Sequence, residues 1–248
     1  MTELLSPQQI TNCQKIFSRR SFRLETINLE LLTNQISGTE KQFVQDHLST
    51  SEQERFFSFK YLKRQIEWLG GRLAAKQAIS KLLTKSGDIG PTFPALSVDA
   101  NREGRPVLHV NKVRSSIDIS ISHSDTLAAA LAVSHNYCGI DIQKVTKQII
   151  KVKSHFTLPA EEQIIRQLPC LSSYSEETVL TLLWSAKEAF RKSVVNKPVL
   201  GFLNIRLQEI TGSLRQGFTG TFTCQLPTKT LHLKSFLALS DTFAVAIT

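Results

Sequence analysis

Cysteine is scarce and scattered. Cys13, Cys138, Cys170 and Cys224 stand singly, with no C-x-x-C and no Cys/His pair at zinc spacing, which excludes a disulfide framework and a structural zinc site. Four reduced thiols fit a cytoplasmic setting. No apolar run approaches the roughly 18 to 20 residues that span a bilayer, and Met1 to Ile10 is polar and contains Glu3 rather than a basic lead into an apolar core. Neither a membrane span nor an export signal is expected. Eleven Gly and eight Pro in 248 residues exclude collagen-like and low-complexity character. Acids are also few: 21 Asp+Glu against 30 Lys+Arg leave a net charge of +9, which favours an anionic partner such as nucleic acid, a phosphate-rich cofactor or an acidic protein.

What is present is the 41% hydrophobic and 21% charged composition of a soluble globular chain, long enough for one large domain or two small ones. From about Thr39 to Lys85 the period is helical, with Trp68, Leu69, Leu73, Ala75, Ile79, Leu82 and Leu83 on one face and Gly87 as a stop, which predicts a long, partly buried helix. After Pro91 the texture changes to short β-branched runs, Leu96 to Val98, Val107 to Val110, Ile117 to Ile121, Leu127 to Val133 and Cys138 to Ile142, which read as strands. Helical character returns weakly over Glu161 to Gln167 and strongly from Glu176 to Val195, ended by Pro198 and Gly201. Four more extended runs follow: Phe202 to Leu207, Gly217 to Gln225, Thr230 to Leu237 and Phe243 to Ile247.

The order helices then strands occurs twice, which points to a duplication. Ser124-Asp125-Thr126-Leu127-Ala128-Ala129-Ala130-Leu131 resembles Ser240-Asp241-Thr242-Phe243-Ala244-Val245-Ala246-Ile247 at an offset of 116, and the same offset sets Trp68 on Trp184 and Lys76 on Lys192. The expected fold is therefore α+β: a pseudo-twofold duplicate of two similar halves joined near Asn136, each a long helix packed on a small antiparallel sheet. A ligand is expected in the cleft between the halves, because sites gather at domain interfaces.

Four short stretches carry chemistry. In Gly139-Ile140-Asp141-Ile142-Gln143, period-2 geometry puts Asp141 and Gln143 on one face of a strand, although alone this reads as a strand running into solvent. In Trp184-Ser185-Ala186-Lys187-Glu188-Ala189-Phe190-Arg191-Lys192, residues Trp184, Glu188 and Lys192 lie at i, i+4 and i+8 on one helix face. A Glu–Lys pair of this kind is commonly a solvated one, but Trp184 suggests that the face turns inward. Ile119-Ser120-Ile121-Ser122-His123-Ser124 ends a strand in hydroxyls and a histidine, donors that suit a phosphate, and Glu103-Gly104-Arg105-Pro106 is a turn with a cation held by a stiff neighbour.

Taken in order, Gly104-Arg105-Pro106, Ser120-Ile121-Ser122-His123, Gly139-Ile140-Asp141-Ile142 and Trp184-Ser185-x-Lys187-Glu188-x-x-x-Lys192 resemble the surfactin-synthetase-type 4'-phosphopantetheinyl transferases over roughly Lys63 to Lys192. That family is built as a pseudo-twofold duplicate of about this total length. The resemblance implies transfer of the 4'-phosphopantetheine arm of coenzyme A, the co-substrate, to a serine of an apo acyl or peptidyl carrier protein, releasing adenosine 3',5'-bisphosphate. It assigns residues 1–136 to a half that contacts coenzyme A phosphates, and residues 137–248 to a half with the Mg site, the catalytic helix and carrier docking.

By the same resemblance Asp141 and Glu188 would meet at one Mg²⁺, with Mn²⁺ as the other oxygen-preferring candidate and Gln143 standing where many members have a third acid. Glu188 would also accept the serine proton, and Lys192 would neutralise the departing phosphate. Ser122 and His123 would hold the 3'-phosphate, with Arg105 and Lys63 as further contacts and Pro106 stiffening the Arg105 turn; Arg64 and Arg72 are near enough in sequence to replace Lys63. Carrier docking is expected on Phe156 to Glu161, although core packing accounts for Phe156 and Leu158 equally well. The expected protein is a cytoplasmic monomer with no membrane or nucleic-acid partner, its +9 charge steering coenzyme A and an acidic carrier. Three rivals remain. One is a relative that binds coenzyme A or carrier without catalysis, hinted at by Gln143; a second is a basic nucleic-acid module, resting on Arg19-Arg20, Lys60 to Arg64 and Lys147 to Lys153; the third is a metal-dependent phosphohydrolase.

Overall fold

Helix α1 (Pro7–Ile16) begins at a capping box, in which Ser6 and Gln9 exchange backbone-to-side-chain bonds of 2.9 and 3.3 Å and Pro7 opens the first turn. The computed structural model describes residues 4–17, 21–84, 90–134, 137–194, 200–226, 228–240 and 242–248. The chain divides into two compact units, Arg20–Cys138 and Gly139–Thr248, with Glu3–Arg19 added to the second. Helix α1 accordingly docks on second-unit backbone: Gln9 Nε2 donates to Leu214 O and Asn12 Nδ2 to Gln216 O, both at 3.0 Å.

The first unit runs β1 (Phe22–Asn28), α2 (Leu29–Ile36), α3 (Glu40–His47), α4 (Thr50–Phe57), α5 (Leu62–Leu83), β2 (Leu96–Ala100), β3 (Pro106–Val110), β4 (Val113–Arg114), β5 (Asp118–Ser124) and β6 (Leu127–Val133). One antiparallel sheet has the order β1-β6-β5, and β2-β3-β4 form another. Strand β6, Leu-Ala-Ala-Ala-Leu-Ala-Val, is buried at every position. It is the middle strand beneath α5, whose Ala74, Ala75, Ala78 and Ile79 are fully covered; the small side chains let helix and sheet approach closely.

The second unit runs β7 (Ile140–Lys144), α6 (Gln148–Lys151), α7 (Pro159–Arg166), α8 (Pro169–Ser172), α9 (Glu176–Ser193), β8 (Ile205–Ser213), β9 (Gly217–Gln225), β10 (Thr230–Leu239) and β11 (Phe243–Ile247). Its single antiparallel sheet has the order β7-β11-β10-β9-β8. Val179, Leu182, Leu183, Ala186, Ala189 and Phe190 of α9 recur at helical spacing and are buried against it. Each large side chain among them contributes about 1.5–3 kcal/mol of burial.

The two units are therefore α+β with antiparallel sheets, as expected. Two readings are corrected. The single long helix predicted over Thr39 to Lys85 is three helices, because Ser49 and Glu52 form a capping box that starts α4 and residues 58–61 break the chain before α5; residues 85–89, including the predicted stop Gly87, lie outside the described residues. The register of the duplication is also mixed. Strands β6 and β11 keep the offset of 116, but in the helices Lys76 answers to Lys187 and Lys81 to Lys192, an offset of 111, because the connections that follow the helices differ in length. Trp68 and Trp184 are thus not counterparts. Strand β1 and helix α2 lie in the stretch where the sequence carried no motif.

Candidate active site

Strand β7 is an edge strand paired with β11, with Asp141 opposite Ala246 and Gln143 opposite Ala244. Its start admits only glycine: a Cβ on Gly139 would lie 1.9 Å from the carbonyl oxygen of Ala189 in α9. That close approach brings the polar face of β7 against the Glu188 and Lys192 turns of α9. Lys192 Nζ donates to Asp141 Oδ1 at 2.8 Å and to Ile140 O at 3.0 Å. Arg191 donates to Glu188 Oε1 at 3.3 Å. Trp184, two turns before Lys192, packs on Phe156 and Phe202 with ring centroids 5.1 and 4.7 Å apart, and the Arg191 guanidinium lies over the Phe202 ring at 4.4 Å. The face is therefore turned partly inward, with side-chain exposures of 8% at Asp141, 23% at Glu188 and 29% at Lys192.

The electrostatics of this cluster are those of crowded carboxylates. Burial, and then the negative charge of Asp141, push the Glu188 carboxyl above the usual carboxylate range, against the pull of Lys192 and Arg191. Two oxygen acids that repel each other in a partly desolvated pocket form a donor set that a hard divalent cation would relieve, so the residues fit Mg²⁺ or Mn²⁺. Gln143 shares the Asp141 face of β7, and its Nε2 donates to Lys144 O at 3.5 Å. Among the described residues no group of three or more His, Cys, Asp or Glu stands in a metal-holding arrangement.

The remaining predicted residues lie in the first unit. Ser122 is buried in β5 and His123 follows it. Arg64, in the first turn of α5, lies 3.2 Å from His123 Nε2, and His123 Nδ1 faces Glu67 at 4.0 Å. Lys63 Nζ, 84% exposed, stands 3.9 Å from the same Glu67. The structure thus gathers Lys63, Arg64 and His123 around one carboxylate, and Arg64 is the cation that touches the histidine. Arg72 lies elsewhere, stacked over Trp68 at 4.7 Å. Arg105 is held by Asp118, and Pro106 opens β3 opposite Ala100. Phe156, Thr157 and Glu161 of the expected docking segment are buried, so core packing is what they do.

A family model described as the 4'-phosphopantetheinyl transferase superfamily matches residues 137–248. A holo-[acyl-carrier-protein] synthase of Geobacillus sp. (strain WCH70) is 30% identical over 110 residues, 44% of this chain and 91% of that protein. One from Exiguobacterium sibiricum is 35% identical over 107 residues, 43% of this chain and 81% of that protein. The chain belongs to the 4'-phosphopantetheinyl transferase superfamily. Among solved structures, a holo-(acyl-carrier-protein) synthase from Bacillus anthracis in complex with CoA (3',5'-ADP) is 27% identical, covering 45% of this chain and 92% of that one with a TM-score of 0.37. No helix among the described residues of this transferase is long and apolar enough to cross a membrane.

Sequence reasoning passed over two residue pairs of this transferase. Lys187, inside the quoted helix motif, is fully buried, and its Nζ donates to Phe156 O at 2.7 Å, Glu161 Oε2 at 2.8 Å and Phe202 O at 3.3 Å. Glu161 also accepts the backbone N–H groups of Leu158 at 2.9 Å and Leu207 at 2.8 Å. Lys76 repeats this in the first unit, donating to His47 O at 2.9 Å, Glu52 Oε2 at 2.6 Å and Phe93 O at 2.9 Å, while Glu52 accepts Ser49 N at 2.9 Å and Val98 N at 3.1 Å. Each ammonium has three donors and three acceptors. Burial pulls both lysines below their ordinary pKa, and the adjoining carboxylates oppose it. The spacing Lys76/Lys81 and Lys187/Lys192 was the available signal.

Proposed function

We propose that the chain transfers the 4'-phosphopantetheine arm of coenzyme A to a serine of an apo acyl or peptidyl carrier protein, releasing adenosine 3',5'-bisphosphate, and that it is of the surfactin-synthetase type. The observation that carries this is the Asp141–Lys192–Glu188 cluster, which lies within residues 137–248 and stands on the motifs of the resemblance. The order of the four motifs, and a length about twice that of the matched synthases, support the subtype.

Bound by Asp141 and Glu188, with Gln143 beside them, Mg²⁺ would supply charge neutralisation on the diphosphate. The ammonium of Lys192, fixed by Asp141 and the Ile140 carbonyl, is placed to neutralise the phosphate that departs. Glu188, with its raised pKa, is the base matched to the carrier serine hydroxyl, taking its proton as the oxygen attacks phosphorus. Ser122, His123, Lys63 and Arg64 of the first unit take the 3'-phosphate. Arg105 is left out of this set because Asp118 holds it. An acidic carrier is drawn to Lys144, Lys147 and Lys151, which follow Asp141 without an intervening acid, whereas Lys153 is held by Glu176 at 2.6 Å. The enzyme acts as a monomer, both halves of the reaction being present in one chain.

Intact mass of an apo carrier after incubation with the chain, coenzyme A and Mg²⁺ tests this. A gain of about 340 Da, absent with Glu188→Ala, is expected for the phosphoryl-transfer scheme. No gain with several unrelated carriers, while coenzyme A still binds, would contradict it.

A further inference from the structure

The turn that ends in Pro106 presents Arg105 to Asp118, the first residue of β5. The pair is bidentate: Arg105 Nε donates to Asp118 Oδ1 at 3.1 Å, and the Nη2 group donates to Oδ2. Both side chains are largely covered, 15% and 11% exposed, and this geometry needs the planar fork of arginine. Two further bonds tie the pair to one residue of main chain. Arg105 Nη2 donates to Cys138 O at 3.2 Å, and Cys138 N donates to Asp118 Oδ2 at 2.8 Å. The Tyr137 ring lies 5.4 Å from the guanidinium. Both polar backbone groups of Cys138 are therefore held by one ion pair.

Cys138 is three residues before Asp141. The intervening chain has little slack: Gly139 exchanges both of its backbone bonds with Thr248 at 2.9 Å, and Ile140 is the first residue of β7. We infer that Arg105 and Asp118 form a clasp on Cys138 that sets where β7 starts, so that Arg105 is a positioning residue for Asp141 and not a contact for the phosphates of coenzyme A. The inference rests on the proposed role of Asp141 in holding a divalent cation. A backbone shift of an ångström at a reacting centre costs about 100-fold in rate, which is the leverage of such a clasp.

The test uses the full chain and four variants: Arg105→Lys, Arg105→Ala, Asp118→Asn and the Arg105→Ala/Asp118→Asn double. Binding of Mn²⁺ is followed by electron paramagnetic resonance and that of adenosine 3',5'-bisphosphate by calorimetry. Every variant is expected to weaken Mn²⁺ binding by about 10-fold, through displacement of Asp141 from its productive place, and to leave bisphosphate binding within about twofold. The double variant should be no worse than either single, since the two side chains act as one unit. Arg105→Lys keeps the charge and loses the fork, so lysine should not rescue. Arg105→Lys and Asp118→Asn are near in size to the residues replaced, and keep the test open if Arg105→Ala does not fold. Two results overturn the clasp: Mn²⁺ binding unchanged throughout, or bisphosphate binding weakened by about 10-fold in Arg105→Ala, restored by lysine and untouched by Asp118→Asn. Both readouts are equilibria of the free protein, so they decide the clasp whether or not carrier transfer is observed.

Discussion

The two units use the same frame for different ends. Each has a long helix on an antiparallel sheet, a short helix whose third residue is a buried glutamate (Glu52, Glu161), and a buried lysine that joins it to two carbonyls and a following strand. The counterpart of Asp141 in strand register is Glu25, which lies opposite Ala130 as Asp141 lies opposite Ala246. Glu25 even has its lysine, Lys81, at 2.7 Å. The difference is one helix position: where α9 has Glu188 after Lys187, α5 has Gln77 after Lys76. On the proposed function two carboxylates would hold a cation, whereas one carboxylate with its lysine makes a surface ion pair, and Lys81 is accordingly 60% exposed. The buried pair belongs to the frame, and the second acid is what sets the second unit apart.

The comparison predicts its own largest effect. Glu188→Ala should lower carrier modification by about 10²- to 10⁴-fold, the range for losing a positioned base, while Gln77→Ala should leave it within about twofold; steady-state transfer rates check both. Next in size, Lys76→Ala and Lys187→Ala should each cost about 3–5 kcal/mol of stability in urea unfolding, because each strands a buried glutamate. A large loss in only one unit would break the claim that the frame is shared.

Much of the fold was legible. Strands β6, β9 and β11 fall on the predicted runs residue for residue, because a buried strand of β-branched and small residues leaves no competing period. The helix over 39–85 was misjudged since a capping box in Ser49-x-x-Glu52 interrupts an otherwise continuous hydrophobic period. In the site, spacing put Glu188 and Lys192 on one helix face and Asp141 on the polar face of a strand, but only the resemblance joined the three, since alone the strand reads as running into solvent and the Glu–Lys pair as a solvated one. The engagement of Arg105 by Asp118 was not legible, because thirteen residues separate them and no local pattern pairs them.

A smaller effect concerns pH. The folded-state pKa of Glu188 lies above its unfolded value, so the protein holds this proton more tightly when folded. The stability it lends is present below the unfolded pKa and is lost as pH rises through the folded one. Without metal, Glu188→Gln should therefore melt higher than wild type at neutral pH and match it in acid, as calorimetry across pH would show. The smallest expected change is in Gln143→Glu, which adds a charged oxygen beside Asp141 and should reduce the Mg²⁺ needed for half-maximal rate by about threefold in a metal titration.

The count of Mn²⁺ bound per chain, in wild type, Glu188→Gln and Glu25→Gln, tests the central claim most directly. One ion is predicted, lost with Glu188→Gln and retained with Glu25→Gln. Two ions in wild type, or loss of the ion with Glu25→Gln, would show that the first unit is itself a cation site and contradict the division of labour between the halves.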